Sequence, residues 1–233
     1  MELFEIYRVA LKEWSESALA MREDLTDPQL VDIDVNGYRS TPVRVMVVGQ
    51  QPDEWLLQKE DAQDSIDSRI QSLLTKYAND FPGRGTRRSK PFWYEARKLY
   101  QSLNPDGPTT GFVWSNVIKI AQRGSKGKYQ KPDEQVMGVV RKVLTLLPGE
   151  MRIAAPHVIV FFTGPKYDDE IRRICPGVCF ELLPGEPKIA RLAHEALPRC
   201  TYRTYHPRSL WHSKRRDVIT TLIQTIKEEM KVW

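Results

Sequence analysis

The sequence predicts an α/β fold, a three-layer sandwich in which a mostly parallel four-stranded sheet carries helices on both faces. Short apolar, β-branched runs recur along the chain, as is typical of strands that are covered on both faces. Segments with apolar residues at intervals of three and four lie between these runs, and this spacing is typical of amphipathic helices. Strands that alternate with helices form βαβ units with right-handed crossovers, so we expect the strands to be parallel.

Four segments are predicted as the strands of this sheet. The clearest is the run VRVMVV, which directly precedes Gly49, and VIVFFT is a second run of the same kind. The segment GFVWSNV is predicted as another strand, and the last of the four is the weakest. In chain order the predicted strands span residues 43–48, 111–117, 158–163 and 200–205.

Five segments are predicted as helices from the spacing of their apolar residues, and they span 3–18, 66–77, 92–100, 136–147 and 218–230. Pro91 suits the first turn of the third helix, and Pro132-Asp133 introduces the fourth. The chain contains no internal repeat, low-complexity tract or linker-like stretch. We therefore expect one domain over residues 1–233, in which residues 1–40 form an N-terminal helix and loop that pack on the core.

Composition limits the class of protein. The 233 residues are 41% hydrophobic and 28% charged, which is typical of a globular chain. Three cysteines cannot supply a four-cysteine metal site, and no apolar run approaches the roughly 18 residues that cross a bilayer. The phosphate-binding patterns GxxxxGK[ST] and GxGxxG do not occur in the sequence. We expect a soluble cytoplasmic monomer without membrane association, metal or cofactor.

Basic residues concentrate in loops that follow the predicted strands or precede the third helix. Lysine and arginine exceed aspartate and glutamate by 35 − 30 = 5. Ligands of open parallel sheets bind beside the carboxyl ends of the strands, and phosphate contacts provide most of the non-specific affinity for nucleic acid. The sequence therefore predicts nucleic acid as the partner. The basic candidates for binding it are Arg84, Arg87, Arg88, Lys126, Lys128, Arg208, Lys214 and Arg215.

Four motifs at the predicted strand ends resemble, in order, those of the uracil-DNA glycosylase superfamily. The first strand is followed by GQQPD (residues 49–53), where the superfamily has GQDPYH or a relative of it. Asn116 lies near the end of the second strand, and the third, VIVFFTG, ends at a glycine. After the fourth strand, HPRSL (residues 206–210) is similar to HPSPLS, and Phe92-Trp93 resembles a pair found in some members. The resemblance covers residues 43–216.

The resemblance implies hydrolysis of the N-glycosidic bond between a DNA base and its sugar. His206 then donates a hydrogen bond to the negative charge that forms on the departing base, as an oxyanion-hole group does. Asn116 binds the base edge, because a carboxamide offers both an acceptor and donors, and Gln50 is a second base-binding candidate. Ser209 and Leu210 contact DNA, and Leu210 corresponds to the leucine that fills the gap left by the flipped nucleotide.

Two departures from the GQDPYH motif bear on the chemistry. Gln51 replaces an aspartate, and because an amide accepts no proton at neutral pH, it orients water without acting as a general base. Asp53 replaces a tyrosine that closes the pocket against substituents at the pyrimidine 5-position. We expect the smaller acidic side chain to admit a bulky or hydroxylated substituent there. Asp53, Asp168 and Asp169 are alternative carboxylates for activating water.

An aromatic side chain is expected to stack on the extruded base, since such contacts contribute about 1–3 kcal/mol each. Phe81 is the candidate for this role. Tyr77 and Phe92 are alternatives, although core packing is the expected role of Phe92.

Together these observations predict a monofunctional DNA glycosylase that flips out one nucleotide and leaves an abasic site. The expected base is a 5-substituted pyrimidine, such as the hydroxymethylated or glycosylated cytosine of modified phage DNA. No motif provides a lysine as a Schiff-base nucleophile, so strand cleavage is not expected. Two alternatives stay open: a repair glycosylase that acts on uracil or mismatches, and a catalytically silent nucleic-acid-binding module.

Overall fold

The computed structural model describes residues 3–57, 65–80 and 90–231, and helices and strands follow one another along this part of the chain. The helices are α1 (Leu3–Glu16), α2 (Ile66–Asp80), α3 (Pro91–Leu103), α4 (Glu134–Val143), α5 (Leu147–Ala154), α6 (Asp168–Ile174), α7 (Pro207–His212) and α8 (Asp217–Met230). The strands are β1 (Val45–Gly49), β2 (Val113–Asn116), β3 (Gln122–Arg123), β4 (Tyr129–Gln130), β5 (Val158–Phe162), β6 (Cys179–Leu183), β7 (Glu186–Ala193) and β8 (Cys200–Thr204). No helix in these ranges has both the length and the apolar character needed to cross a membrane.

Six of the strands form a mainly parallel sheet in the order β2-β1-β5-β8-β7-β6. β1 and β8 both run parallel to β5, so that Val158 lies between Val45 of β1 and Cys200 of β8. β7 runs antiparallel to β8 and to β6. All residues of β1 and β5 are buried, which explains why both strands are wholly apolar apart from the last residue of β1, Gly49.

The predicted α/β class and the mainly parallel sheet are confirmed, but the sheet has six strands where the sequence predicts four. The four predicted segments contain β1, β2, β5 and β8. The two that were missed, β6 and β7, form an antiparallel hairpin at one edge of the sheet, joined by Pro184-Gly185. No residue of β6 is buried, and in its sequence, CFELL, a glutamate interrupts the apolar residues, so the continuous apolar run that marks β1 and β5 is missing.

All five predicted helices are present, and one of them is divided. The segment predicted over 136–147 is two helices, because α4 ends at Val143 and α5 begins at Leu147. Pro148 cannot donate the backbone hydrogen bond that one continuous helix would require there. Asp133 caps α4 as expected from its position, since its carboxylate accepts from the Val136 N–H at 2.9 Å. Helices α6 and α7 were not predicted.

The chain divides into two compact units. The first unit contains Met1–Asp32, Gln50–Asn79 and Ser115–Ile153, and the second contains Ile33–Gly49, Asp80–Trp114 and Ala154–Trp233. Most of the sheet therefore belongs to the second unit, while the β3–β4 hairpin and the helices α1, α2 and α4 belong to the first. The single domain expected from the sequence stays a prediction.

A fully buried polar network lies at the centre of the first unit. The Lys119 ammonium donates to Glu150 at 2.6 Å and to the Ser115 hydroxyl at 2.5 Å, and that hydroxyl donates to Glu150 at 2.7 Å. The Tyr7 hydroxyl donates to the other oxygen of Glu150 at 3.2 Å. Both charged side chains are completely buried, and burial lowers the pKa of Lys119 while the Glu150 charge opposes this shift. The contact with Glu150 therefore offsets part of the cost of burying the Lys119 ammonium.

We expect Lys119→Met to destabilise the protein by about 3–5 kcal/mol, because it leaves the Glu150 carboxylate buried without its counter-charge. Urea unfolding measures this loss. The double variant Lys119→Met, Glu150→Gln removes both charges and should lose less stability than Lys119→Met alone.

Lys142→Met, at an exposed position of α4 in the same unit, is the matched control and should change stability by no more than about 0.5 kcal/mol. Equal effects at positions 119 and 142 would contradict a stabilising ion pair in the core.

Candidate functional site

The predicted site residues lie where the strands end. Gly49 is the last residue of β1, and the 50–53 loop follows it. Asn116 is the last residue of β2, and His206 follows β8 after one intervening residue. Gly164 follows β5, and its N–H donates to the carbonyl of Thr204 at the end of β8, at 2.9 Å. The fold therefore brings the ends of β5 and β8 together, as parallel pairing requires.

In the first unit, the 50–53 loop and the end of β2 lie side by side. The Ile118 N–H donates to the Gln50 carbonyl at 3.0 Å, two residues after Asn116. Within the loop, Gln50 and Gln51 are half-buried and Asp53 is exposed. Three of the residues predicted for base binding and catalysis, together with Asn116, thus belong to one small region.

Asn116 is held by a residue that the sequence reasoning missed. Its Nδ2 donates to Oε1 of Gln29 at 2.8 Å, and the two side chains are 2% and 0% exposed. Gln29 lies in an extended segment next to residues 119–121, since its N–H donates to the Lys119 carbonyl at 2.7 Å. A glutamine 87 positions before Asn116 carries no signal of this contact in the sequence.

In the second unit, His206 is positioned as a neutral hydrogen-bond donor. It caps the N-terminus of α7, where its Nδ1 accepts from the Arg208 N–H at 3.2 Å. Burial lowers the pKa of His206 to about 4, and the Arg208 charge contributes to the shift. The ring is therefore uncharged at neutral pH, and because Nδ1 is an acceptor, the proton is on Nε2. Nε2 makes no hydrogen bond to any residue that the structure describes.

The ring of His206 stacks on Phe92, with centroids 5.7 Å apart and planes at 24°. Phe92 also makes edge contacts with Trp93, Trp114 and Phe162, which are all buried. Phe92 itself is only half-buried. It therefore packs against the core, as expected, and also fixes the plane of the imidazole.

Of the other aromatic candidates, Tyr77 is 1% exposed in the first unit and cannot present a free face for stacking. Phe81, the predicted stacking residue, lies outside the described residues, and so do Arg84, Arg87 and Arg88.

A second contact ties the helix that follows His206 to the helix that carries Phe92. The Trp211 indole of α7 donates to Glu95 of α3 at 2.7 Å, and Glu95 is completely buried. The Arg216 guanidinium lies 4.2 Å from the centre of the Trp211 ring and 3.4 Å from the same Glu95 oxygen. Glutamate on a helix normally faces solvent, so the role of Glu95 in supporting the His206 region is not predictable from the sequence.

The basic candidates outside 81–89 differ in how available their charges are. Lys126 and Lys128 are exposed on the turn between β3 and β4 in the first unit, and Arg208, Ser209 and Lys214 are exposed in the second. Arg215 is different, because its guanidinium binds Glu186 at 2.5 Å and Asp217 at 3.1 Å. Its charge is already paired with two carboxylates, so it is less available than that of Lys214, and the phosphate contact of Arg215 stays a prediction.

The predicted wedge role of Leu210 is not supported either. Its side chain is 1% exposed and packs in the core of the second unit. A side chain that enters a DNA duplex has to project from the surface. The neighbouring Arg208 and Ser209 are the exposed residues of this motif.

Two of the alternative carboxylates for activating water are already paired. Both oxygens of Asp168 accept from the buried Arg203 guanidinium, at 3.0 and 3.1 Å, and burial raises the pKa of Asp168. Asp169 pairs with Arg172 at 2.9 Å. In the described part of the chain, no group of three or more histidine, cysteine or acidic side chains could hold a metal ion.

Comparison with known protein families finds no match, and a search of curated proteins also finds none. A function for this chain is therefore inferred from its own residues and their contacts.

We expect His206 to make the folded protein less stable as the pH falls below 6.5. The unfolded chain has the ordinary histidine pKa of 6.5, whereas the folded value is about 4. Between these values only the unfolded chain binds the proton, so lowering the pH favours unfolding. The free energy of unfolding can be measured with urea at about pH 7 and about pH 5. Between these two pH values it should fall by about 1–2 kcal/mol less in His206→Asn than in the wild type.

The control is Gln135→Asn, at an exposed position of α4 that carries no titratable group. Between pH 7 and pH 5 this variant should lose as much stability as the wild type. If His206→Asn also does so, His206 is not held neutral by burial.

Proposed function

We propose that this protein is a monofunctional DNA glycosylase of the uracil-DNA glycosylase type, in which helices cover both faces of the sheet. The observation that carries the proposal is the neutral His206, which follows β8 and whose Nδ1 is occupied by the Arg208 N–H. A neutral imidazole with its proton on Nε2 has the chemistry required of a donor to a departing base. The protein would act in the cytoplasm, as a monomer and without a cofactor.

The reaction breaks the bond between the base nitrogen and C1′ of the sugar, and the electron pair leaves with the base. Negative charge then develops on N1 of the base and is shared with its carbonyl oxygens. The Nε2–H of His206 stabilises this charge with a hydrogen bond that is already oriented, which is the source of rate enhancement in oxyanion holes. Water adds to C1′, one of its protons passes to the base, and an abasic site remains.

The amides of the first unit supply base recognition and water orientation in this mechanism. Asn116 hydrogen-bonds to the base edge, with Gln50 as its neighbour. Gln51 orients the water but accepts no proton, so formation of the sugar cation has to precede or accompany the attack. Asp53, exposed in the same loop, would accept hydrogen bonds from a hydroxylated 5-substituent. The proposed substrate base is therefore a hydroxymethylated or glycosylated pyrimidine.

DNA binding would rest on the exposed cations. Lys126, Lys128 and Lys214 lie in loops and Arg208 lies at the start of α7, and all four are exposed, with charges available for phosphate. The exposed hydroxyl of Ser209 would add a neutral phosphate contact.

Gln51 also favours a second candidate function. Without a carboxylate at this position the chain could bind nucleic acid and catalyse nothing. Uracil or a mismatched base, in a repair enzyme of the same fold, is the alternative substrate that the motif resemblance leaves open.

We expect the wild type to release a base from duplex DNA that contains hydroxymethylated or glycosylated cytosine, and to do so faster than from uracil-containing DNA. His206→Ala should reduce the rate by about a hundredfold to a thousandfold, because it removes one preorganised donor. Single-turnover incubation followed by hot alkali measures the abasic sites, and gel shift measures DNA binding.

His194→Ala is the matched control and should keep the wild-type rate. Exclusive action on uracil would overturn the proposed substrate class. Equal DNA binding by wild type and His206→Ala, with no base released by either, would identify the silent binding module.

A further inference from the structure

We propose that Tyr94, Trp211 and Arg216 form a stacking surface that binds unpaired bases of a DNA strand. All three residues belong to the second unit. Trp211 lies on α7, the helix that His206 caps, and Tyr94 lies on α3, the helix that carries Phe92. The inference rests on the nucleic-acid binding of the proposed function but not on its chemistry.

Two aromatic rings of this surface are in contact with each other. The ring centroids of Tyr94 and Trp211 are 5.5 Å apart, with the planes at 74°. Trp211 is half-buried. Of the aromatic side chains in residues 3–57, 65–80 and 90–231, Tyr94 is the one that is exposed, at 43%. The pair therefore offers solvent an aromatic face that the flat face of a base can cover.

A buried charge fixes the third member of the stacking surface, Arg216. Its guanidinium lies 4.2 Å from the centre of the Trp211 ring and 5.1 Å from the centre of the Tyr94 ring. The Nε of Arg216 and the Trp211 indole both donate to Oε1 of Glu95, at 3.4 and 2.7 Å. Because Glu95 is completely buried, its carboxylate depends on these donors. The guanidinium is thereby held against both rings.

The chemistry of this surface suits a base better than a phosphate. Glu95 offsets the charge of Arg216, so the stacking surface presents two rings and a planar guanidinium, on which bases stack. Cations for the phosphates lie next to it in sequence, at the exposed Arg208 and Lys214. Aromatic faces combined with cations are the means by which proteins bind single strands without reading their sequence.

The charges around the stacking surface favour a polyanion. In α3 and residues 206–221 the acidic residues are Glu95, which is buried, and Asp217, which pairs with Arg215 at 3.1 Å. A DNA strand therefore meets no unpaired carboxylate in these segments. An acidic peptide would meet the same cations but would bring no flat bases to the rings.

The DNA bound here has to contain unpaired bases. Inside an intact duplex both faces of a base are covered by its neighbours, so a protein ring can stack only on a base that has left the helix or belongs to a single strand. The stacking surface therefore predicts a preference for single-stranded or locally opened DNA.

The test uses two strands of equal charge, each of about twelve nucleotides. One is oligothymidine, and the other consists of sugar phosphates without bases. Fluorescence anisotropy with the full chain gives the Kd of each strand, and the ratio of the two is the base preference. The wild type should bind oligothymidine at least about tenfold more tightly than the base-free strand.

Tyr94→Leu keeps an apolar side chain beside Arg216 but removes the ring. It should lower the base preference about fivefold or more, as expected when one base–aromatic stack is lost. Tyr94→Phe keeps the aromatic face and should retain the preference within about twofold. The matched control is Leu182→Ala, at a 58% exposed apolar position of β6 in the same unit, and it should leave both Kd values unchanged.

The outcomes separate the inference from the proposed function. If Tyr94 only supports Arg216 as a phosphate contact, Tyr94→Leu weakens the binding of both strands equally, and the unchanged base preference overturns the inference. Equal binding of the two strands by the wild type, or binding of neither, also overturns it. Base release from modified duplexes is measured separately, so the glycosylase function can stand when the stacking surface fails. A base preference that falls in Tyr94→Leu and is retained in Tyr94→Phe supports the inference, even if no base is released.

Discussion

Parallel pairing of β1, β5 and β8 is the constraint on which the rest of the arrangement depends. Because parallel strands all end at the same edge, Gly49, Phe162 and Thr204 are the last residues of strands that end there, and the Gly164–Thr204 hydrogen bond shows the ends of β5 and β8 in contact. β1 and β5 contribute little chemistry themselves, since their side chains are apolar, and in β8 the buried Arg203 is already paired with Asp168. Polar function is therefore confined to the loops, and the chain uses several buried polar contacts to hold those loops in defined positions.

The polar groups held in this way suit a mechanism based on hydrogen-bond donors better than one based on acid–base catalysis. His206 is uncharged, stacked on Phe92 and capped into α7, while the Glu95–Trp211 bond ties that helix to α3. The carboxylates Asp168 and Asp169 are paired with arginines. In the first unit the conspicuous groups are amides, at Gln29, Gln50, Gln51 and Asn116. A reaction whose leaving group carries away the electron pair needs such donors more than it needs a base, and this agrees with the proposed glycosylase chemistry.

The sequence was sufficient for the parts of the fold in which burial is continuous. β1 and β5 were predicted because both faces are covered, and α1 and α8 because one face is apolar at helical spacing. The β6–β7 hairpin was missed because the residues of β6 are mostly exposed. The site was predictable at the level of strand ends but not of contacts. Leu210 has the position expected of a wedge, yet packing buries it, and the partner of Arg215 at Glu186 is 29 positions away. Gln29 is similar, since a buried glutamine has the same appearance in a sequence as an exposed one.

The central claim is that an uncharged His206 stabilises a departing base. The pH dependence of single-turnover base release tests it most directly, measured between about pH 5 and about pH 8 on the best substrate duplex. With the pKa of His206 at about 4, the account predicts that no ionisation of His206 affects the rate over this interval, and that His206→Ala lowers the rate by a similar factor throughout. The opposite result is a wild-type rate that changes with pH around a midpoint near 6.5, while the rate of His206→Ala shows no such change. It would show that His206 binds a proton within this interval and would contradict the account.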